Sequence, residues 1–183
     1  MDQKLRSLVT HCYLCPEGAA FTSPEAGTSG VAARPDDAEE TAWGYMGPLE
    51  DFSVTPKRTT EEIWAAAEGT GTVMLYDVLD SKKDLAFSAT ATQLGPELFG
   101  LMFNAGWINK STETFQPNAG GTTRAWIRFE QYDQEDKLVN TCYLWCHVLV
   151  DGETKLVNTV KAKVNFRKLY SAKSEGKLTV AAA

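Results

Sequence analysis

Residues 154–170, TKLVNTVKAKVNFRKLY, alternate so regularly that an extended strand is the one backbone that suits them. Leu156, Val160, Ala162, Val164 and Phe166 fall on one face, and Lys155, Thr159, Lys161, Lys163, Asn165 and Arg167 on the other, with Val157 the exception. A helical period of about 3.6 would scatter those charges around the axis, whereas a period of about 2 sorts them into one dry and one wet face. The same period governs DLAFSATATQ, where Leu85, Phe87, Ala89 and Ala91 oppose Ala86, Ser88, Thr90 and Thr92. Strands of this kind must close their dry faces over a common core.

Further strands are expected in AWGYMGPLEDFSV and TTEEIWAAA, joined at Pro56, in the short apolar run GTVMLYDVLD, and in RAWIRFEQYD and KLVNTCYLWCHVLVDG. The Asp-Gly of VDGET predicts a tight hairpin into the strand that follows. One segment breaks the period. GPELFGLMFNAG places Pro96 in a first helical turn with Glu97 beside it and Gly106 as a stop, so a short helix around 95–104 is predicted. Its Leu98, Leu101 and Met102 share one side, suited to covering a sheet. The expected fold is mainly β: a β-sandwich or partly open barrel of about eight strands with one short flanking α-helix and long loops.

The 183 residues suit a single domain over 1–183. Residues 17–42 carry Glu17, Glu25, Asp36, Asp37, Glu39 and Glu40 against a single Arg34 and show no period, which predicts a flexible acidic insertion loop. Residues 171–183, ending in KSEGKLTVAAA, read as a soft tail. The net charge is -6 and the pI near 5.0, which argues against a protein that grips nucleic acid but not against a surface that DNA slides past. Neither a signal-peptide core nor an apolar run of the ~20 residues that span a bilayer is present, so a soluble protein in a reducing cytosol is expected.

All four cysteines and both histidines sit in two echoing segments, THCYLCPEG and NTCYLWCHVLVDG. Cys12 and Cys15 have the spacing of a zinc knuckle, with Cys142 and Cys146 as the proposed partners. Strand geometry opposes that pairing. Residues i and i+4 of a strand share a face but lie about 13 Å apart, whereas zinc–thiolate bonds are about 2.3 Å. Cys142, Leu144, Cys146, Val148 and Val150 instead form a continuous apolar face, so core cysteines and no metal or cofactor are expected. His11–Cys12 and Cys146–His147 are chain neighbours that diverge on a strand, a poor start for a thiol–imidazole pair.

No catalytic residue is assigned. Phosphate-loop, nucleophile-elbow, zinc-protease and dinucleotide fingerprints are missing, and the GTGT and AGGTT runs suit hairpin turns. The acidic pairs Glu50–Asp51 and Glu61–Glu62 diverge on strands as solvated surface charge. Trp43, Trp64, Trp107, Trp126 and Trp145 read as core or interface anchors. Charge is segregated: residues 153–177 are net +5, leaving the rest of a -6 chain near -11. That suits either a solvated strand face or a protein that meets copies of itself, acidic side to basic side.

The order of these elements resembles the major tail tube proteins of long-tailed, non-contractile bacteriophages. The resemblance runs over most of residues 5–170 and is carried by Trp43 and Gly44, the LEDFSV run (Leu49–Val54), TTEEI (Thr59–Ile63), LGPELFGLMFNA (Leu94–Ala105) and the paired long C-terminal strands. It implies a β-sandwich or barrel subunit that forms hexameric rings, stacked into a hollow tube that conducts DNA. It further implies tape-measure, tail terminator and distal tail or baseplate proteins as partners, in a virion tail assembled in the bacterial cytoplasm. The stretch from Pro56 to Thr72 would then be a ring-to-ring loop, and Lys57, Arg58, Glu61, Glu62, Lys161, Lys163 and Arg167 candidate subunit contacts. The alternatives are a ring-forming tail terminator or baseplate hub protein, or, in another class, a small zinc-binding or thiol protein.

Overall fold

Inward-facing apolar residues, one every second position, set the architecture. The computed structural model describes residues 9–19, 24, 33–66, 69, 71–103, 123–152, 154 and 160–179. Among them are β1 (Val9–Pro16), a single 3-10 turn (Glu40–Ala42), β2 (Gly44–Ala66), β3 (Val73–Ala91), α1 (Pro96–Met102), β4 (Thr123–Tyr132), β5 (Leu138–Asp151), β6 (Ala162–Lys168) and β7 (Glu175–Leu178). The strands form one antiparallel sheet in the order β4-β1-β2-β3-β6-β5-β7, and β4 also pairs with β5. Six strands therefore close into a ring, and β7 lengthens the sheet beside β5. The fold is mainly β, as the alternation predicts.

The ring interior holds one core. Cys12 and Leu14 from β1, Met46 and Leu49 from β2, Phe87, Ala89 and Ala91 from β3, Ala125, Ile127 and Phe129 from β4, Leu144, Cys146 and Val148 from β5, and Ala162, Val164 and Phe166 from β6 are all buried in it. Leu98 and Leu101 place α1 on the same core, against β2 and β5. Its Glu97 side chain lies over Gly44, in the space a β-carbon there would fill. Phe129 is the hub: its ring centroid lies 5.0 Å from Phe52, 5.2 Å from Phe166 and 5.8 Å from Phe87.

Two bulges reshape β2. The register with β1 slips beside Gly47, whose φ is +113°, and the register with β3 slips between Glu50 and Ser53, where Asp51 has a φ of 52°. The second slip turns Phe52 inward against Phe87 and bends the strand as it leaves the ring. Beyond that point four expected strands prove to be two. AWGYMGPLEDFSV and TTEEIWAAA run as the 23 residues of β2, and GTVMLYDVLD with DLAFSATATQ as the 19 residues of β3. Pro56 does not separate them. It pairs with Leu85 in a stretch where β2 has no partner on its other side, the sheet position a residue without an N–H tolerates.

Three further expectations are corrected. VDGET does not make a two-residue hairpin, because Asp151 pairs with Lys163. That register sets Val164 opposite Val150 and Phe166 opposite Val148, and inward apolar pairs outweigh a turn dipeptide. Within the expected loop at 17–42, residues 20–23 and 25–32 lie outside the described ones, but Arg34 and Pro35 are buried and the segment from 33 to 43 straps across the outside of the ring. The tail also contributes β7, with Gly176 opposite Cys142.

The Phe129 cluster gives a direct test of this core. Phe129→Ala should cost about 3–5 kcal/mol. At roughly 2–4 °C per kcal/mol for a chain of this size, the melting temperature followed by circular dichroism should fall by roughly 6–20 °C. Tyr170→Ala, at a side chain 92% exposed, should leave it within about 2 °C. Equal shifts in the two variants would contradict the core assignment.

Candidate assembly surface

Past the ring, β2 and β3 continue as a two-stranded ribbon. Pairing with β1 ends at Leu49 and pairing with β6 ends at Ala86, while β2 and β3 stay paired from Lys57–Asp84 out to Ala66–Val73. Ten residues at about 3.3 Å each give an arm of ~30 Å with both edges open and both faces in solvent. Every described residue from Lys57 to Ala66 and from Val73 to Lys83 is exposed. An isolated two-stranded ribbon is marginally stable in water, and open edges are templates for another chain.

The composition of the arm sharpens the point. Residues directly opposite in an antiparallel pair share a face. Trp64 with Leu75, Glu62 with Val78 and Ala66 with Val73 therefore line the face continuous with the ring interior. Ile63 with Asp77, Glu61 with Leu79 and Ala65 with Met74 line the other. Trp64 is 56% exposed, Met74 60% and Tyr76 79%. Apolar side chains on both faces of an unsupported ribbon are what a contact surface between proteins requires.

The foot of the arm is charged. Lys83 and Arg58 lie 3.2 and 4.0 Å from Asp80, and Arg167 of β6 lies 2.9 Å from Asp84 of β3. These exposed pairs are each worth about 0–1 kcal/mol and orient the ribbon rather than hold it.

Of the seven residues the sequence nominates for contact, Lys57, Arg58, Glu61 and Glu62 lie on the ribbon, with Glu62 accepting a hydrogen bond from Trp64 Nε1 at 3.1 Å. Lys161, just before β6, pairs with Glu50 at 3.4 Å, and Lys163 and Arg167 face outward on β6. The stretch from Pro56 to Thr72, expected as a loop, is in its described part mainly β2 strand. The sequence missed the apolar half of the surface. Val73, Met74, Leu75, Tyr76, Val78 and Leu79 read as a strand dry on both faces, and a strand that becomes dry only against another molecule has the same composition.

The tryptophans divide accordingly. Trp43, Trp126 and Trp145 are buried with Cys15 and Tyr143 in a second cluster on the outer wall of the ring, Trp64 is on the arm, and Trp107 lies outside the described residues. That outer cluster also settles what covers Tyr143 and Trp145. The strap from 33 to 43 lies there, with Trp43 against Tyr143. Arg34 stacks 4.2 Å over Tyr143 and donates to Glu175 Oε1 at 3.0 Å, while Arg128 stacks 4.2 Å over Tyr13 and pairs with Glu40 at 3.2 Å. The helix is drawn to the other side of the wall because Leu98 and Leu101 fit the ring interior.

The thiols are dispersed between these clusters. Cys12 and Cys146 join the inner core, with Cys142 packed against it, and Cys15 joins the outer cluster, so the C-x-x-C pair straddles the wall. Among the described residues no three His, Cys, Asp or Glu side chains converge as metal ligands would. Burial pushes the Cys15 and Cys146 thiols up to about 12 from an ordinary 9.0, raises Cys12 well above it and raises Cys142.

No family model matches this chain, and no curated protein matches it. Among solved structures, it is similar to a chain in the cryo-EM structure of the anti-feeding prophage (AFP) baseplate, 6-fold symmetrised. The overlay has a TM-score of 0.39 and 9% sequence identity, and covers 97% of each chain.

The thiol environments predict a pH and labelling signature. Neutral buried thiols favour the folded state while pH lies below the unfolded thiol value near 9.0, and that contribution is lost as pH rises through the folded values of about 12. The urea midpoint should therefore be lower at pH 10.5 than at pH 8. At pH 8 a water-soluble thiol reagent should label at most the half-buried Cys142 quickly, and all four cysteines in denaturant. Rapid labelling of two or more in the native protein would contradict these placements.

Proposed function

We propose that this chain is a self-assembling structural virion protein of a bacteriophage tail, a subunit whose stacked rings form the tail tube, with no catalytic role. The observation that carries the reading is the ~30 Å ribbon with open edges and apolar side chains on both faces. Such an arm is a weakly supported element in one subunit and a contact in a stack. A contact between different patches of the same chain is heterologous, and heterologous contacts generate rings or filaments.

The resemblance drawn from the sequence supports the rest of the reading: hexameric rings, an arm reaching between rings, and tape-measure, terminator and distal tail proteins as further partners. The net charge of -6 supports a tube wall that passing DNA does not adhere to. A ring-forming terminator or baseplate hub would use the same ring-to-ring arm once and stop.

Negative-stain electron microscopy of the purified protein across rising concentrations should show rings or hollow tubes. Replacing residues 57–84 with Asn-Gly joins Pro56 to Leu85 through a two-residue turn and removes the arm. That variant should keep a single cooperative urea-unfolding transition, as the parent does, and remain dispersed. Single rings without filaments would favour the terminator or hub, and a strictly monomeric parent at every concentration and salt would overturn the assembly reading.

A further inference from the structure

The arm divides sharply in charge along its length. Lys57, Arg58, Lys82 and Lys83 sit at its foot, and from Thr59 to Ser81 the sequence has no Lys or Arg at all. In that distal part Glu61, Glu62 and Asp77 occupy three successive register rows among Ile63, Val78 and Leu79.

At the foot, at the rim of the ring, lies an open cleft of about 760 Å³. One cross-strand row builds its floor: Arg124 of β4 pairs with His147 of β5, which pairs with Arg167 of β6, which pairs with Ala86 of β3. Lys57, Lys82, Lys83, Arg124, Arg167 and Lys168 line the cleft against a single carboxylate, Asp84. Only Lys83 and Arg167 of these six form ion pairs among the described residues. Leu169 and the exposed ring of Tyr170 complete the lining.

We infer that this cleft is the receptor for the acidic, apolar end of the arm of a second copy of the chain. The inference rests on the assembly reading and deepens it by naming the two surfaces that meet. Charge and shape agree. A hairpin end carrying carboxylates and aliphatic side chains meets a cleft of excess cations with Leu169 and Tyr170 at its side. Among the described residues the arm's own Glu61, Glu62 and Asp77 form no ion pair with the cleft cations. Glu61 and Glu62 lie four and five residues out from Lys57 along the ribbon, about 13–17 Å of strand, and Ala66 about 30 Å of strand. Docked head to tail, each added copy leaves one tip and one cleft free and the contact propagates; only a reciprocal exchange of arms about a two-fold axis would close it at a dimer.

Two charge-reversed proteins test this. The first carries Lys57→Glu, Lys82→Glu and Lys168→Glu in the cleft; the second carries Glu61→Lys, Glu62→Lys and Asp77→Lys on the arm. Five of the six positions are exposed and Lys168 is half-buried, and unchanged near-UV circular dichroism verifies each fold. Each protein alone should form at least 10-fold less sedimentable assembly than the parent at equal concentration. An equimolar mixture should recover at least half, because each reversed tip then finds a cleft of opposite sign. A folded mixture that stays dispersed, or either variant assembling like the parent, overturns the docking while leaving assembly itself standing. A parent that never assembles overturns both. Binding of a 20-base-pair DNA duplex that is lost in the cleft variant, with its assembly intact, would assign the cleft to nucleic acid instead.

Discussion

The pairing of β4 with β5 is the constraint on which the rest of the molecule depends. Without it the chain would be an open sheet with free strand edges at both ends and an inner face exposed to water. With it, Trp126 stands opposite Trp145 and Phe129 opposite Cys142, so the ring closes through side chains on both of its faces at once. Inside, Phe52, Phe87 and Phe166 pack around Phe129. Outside, the rings of Trp126 and Trp145 lie 5.6 Å apart, tilted by 46°, and begin the second cluster. Closure uses up the edges of the ring strands, and the edges of the β2–β3 arm remain open.

A wall that is apolar on both sides needs an outer cover, and this chain makes one from polar material. The strap from 33 to 43 brings few large apolar groups. It relies on two arginines that lie flat on aromatic rings and hold carboxylates at their rims. Burial opposes the charge on Arg128, and Glu40 and Glu130 more than offset that, leaving its pKa raised. Removing Arg128 would leave Glu130, whose side chain is 13% exposed, with the Tyr132 hydroxyl but no cation, and uncover Tyr13 and Trp43 together. Such pairs fix a unique arrangement more than they add net stability. Here they fix where the strap lies, and Lys177 with Asp37 ties β7 to the same strap at 3.2 Å.

What the sequence disclosed follows from the physics of each signal. Alternation in DLAFSATATQ and in the seven residues of β6 is a local property, and Phe87, Ala89, Ala91, Val164 and Phe166 are in the core as expected; of the longer strand expected over 154–170, residues 155–159 lie outside the described ones. The helix was legible because Pro96 and Glu97 mark its start within one turn. The strap was not, because its fixation comes from Arg34 meeting Glu175, 141 residues away. Its trace in the sequence is a lone cation in an acidic run, and an arginine among aspartates serves a solvated loop equally well. The arm was half legible. Its polar residues were nominated, but its apolar ones carry no mark telling a core from an interface.

That ambiguity bears on how the arm behaves. A core strand is dry because its own chain covers it, and it folds with the domain. The arm's Trp64, Met74 and Leu75 lack that cover in the single chain, so ordering them gains little until another surface arrives. Folding of the arm and docking of the arm are then one event. Its acidic distal half repels the same half of another arm in dilute solution, which disfavours tip-to-tip pairing of two open ribbons. The cationic foot attracts it instead. Screening by salt weakens both effects, but the apolar contact survives screening. Charge therefore selects which patch of a neighbour the arm reaches, and apolar burial holds it there. Direction comes from the first and persistence from the second, and a polymer built from one kind of chain needs both.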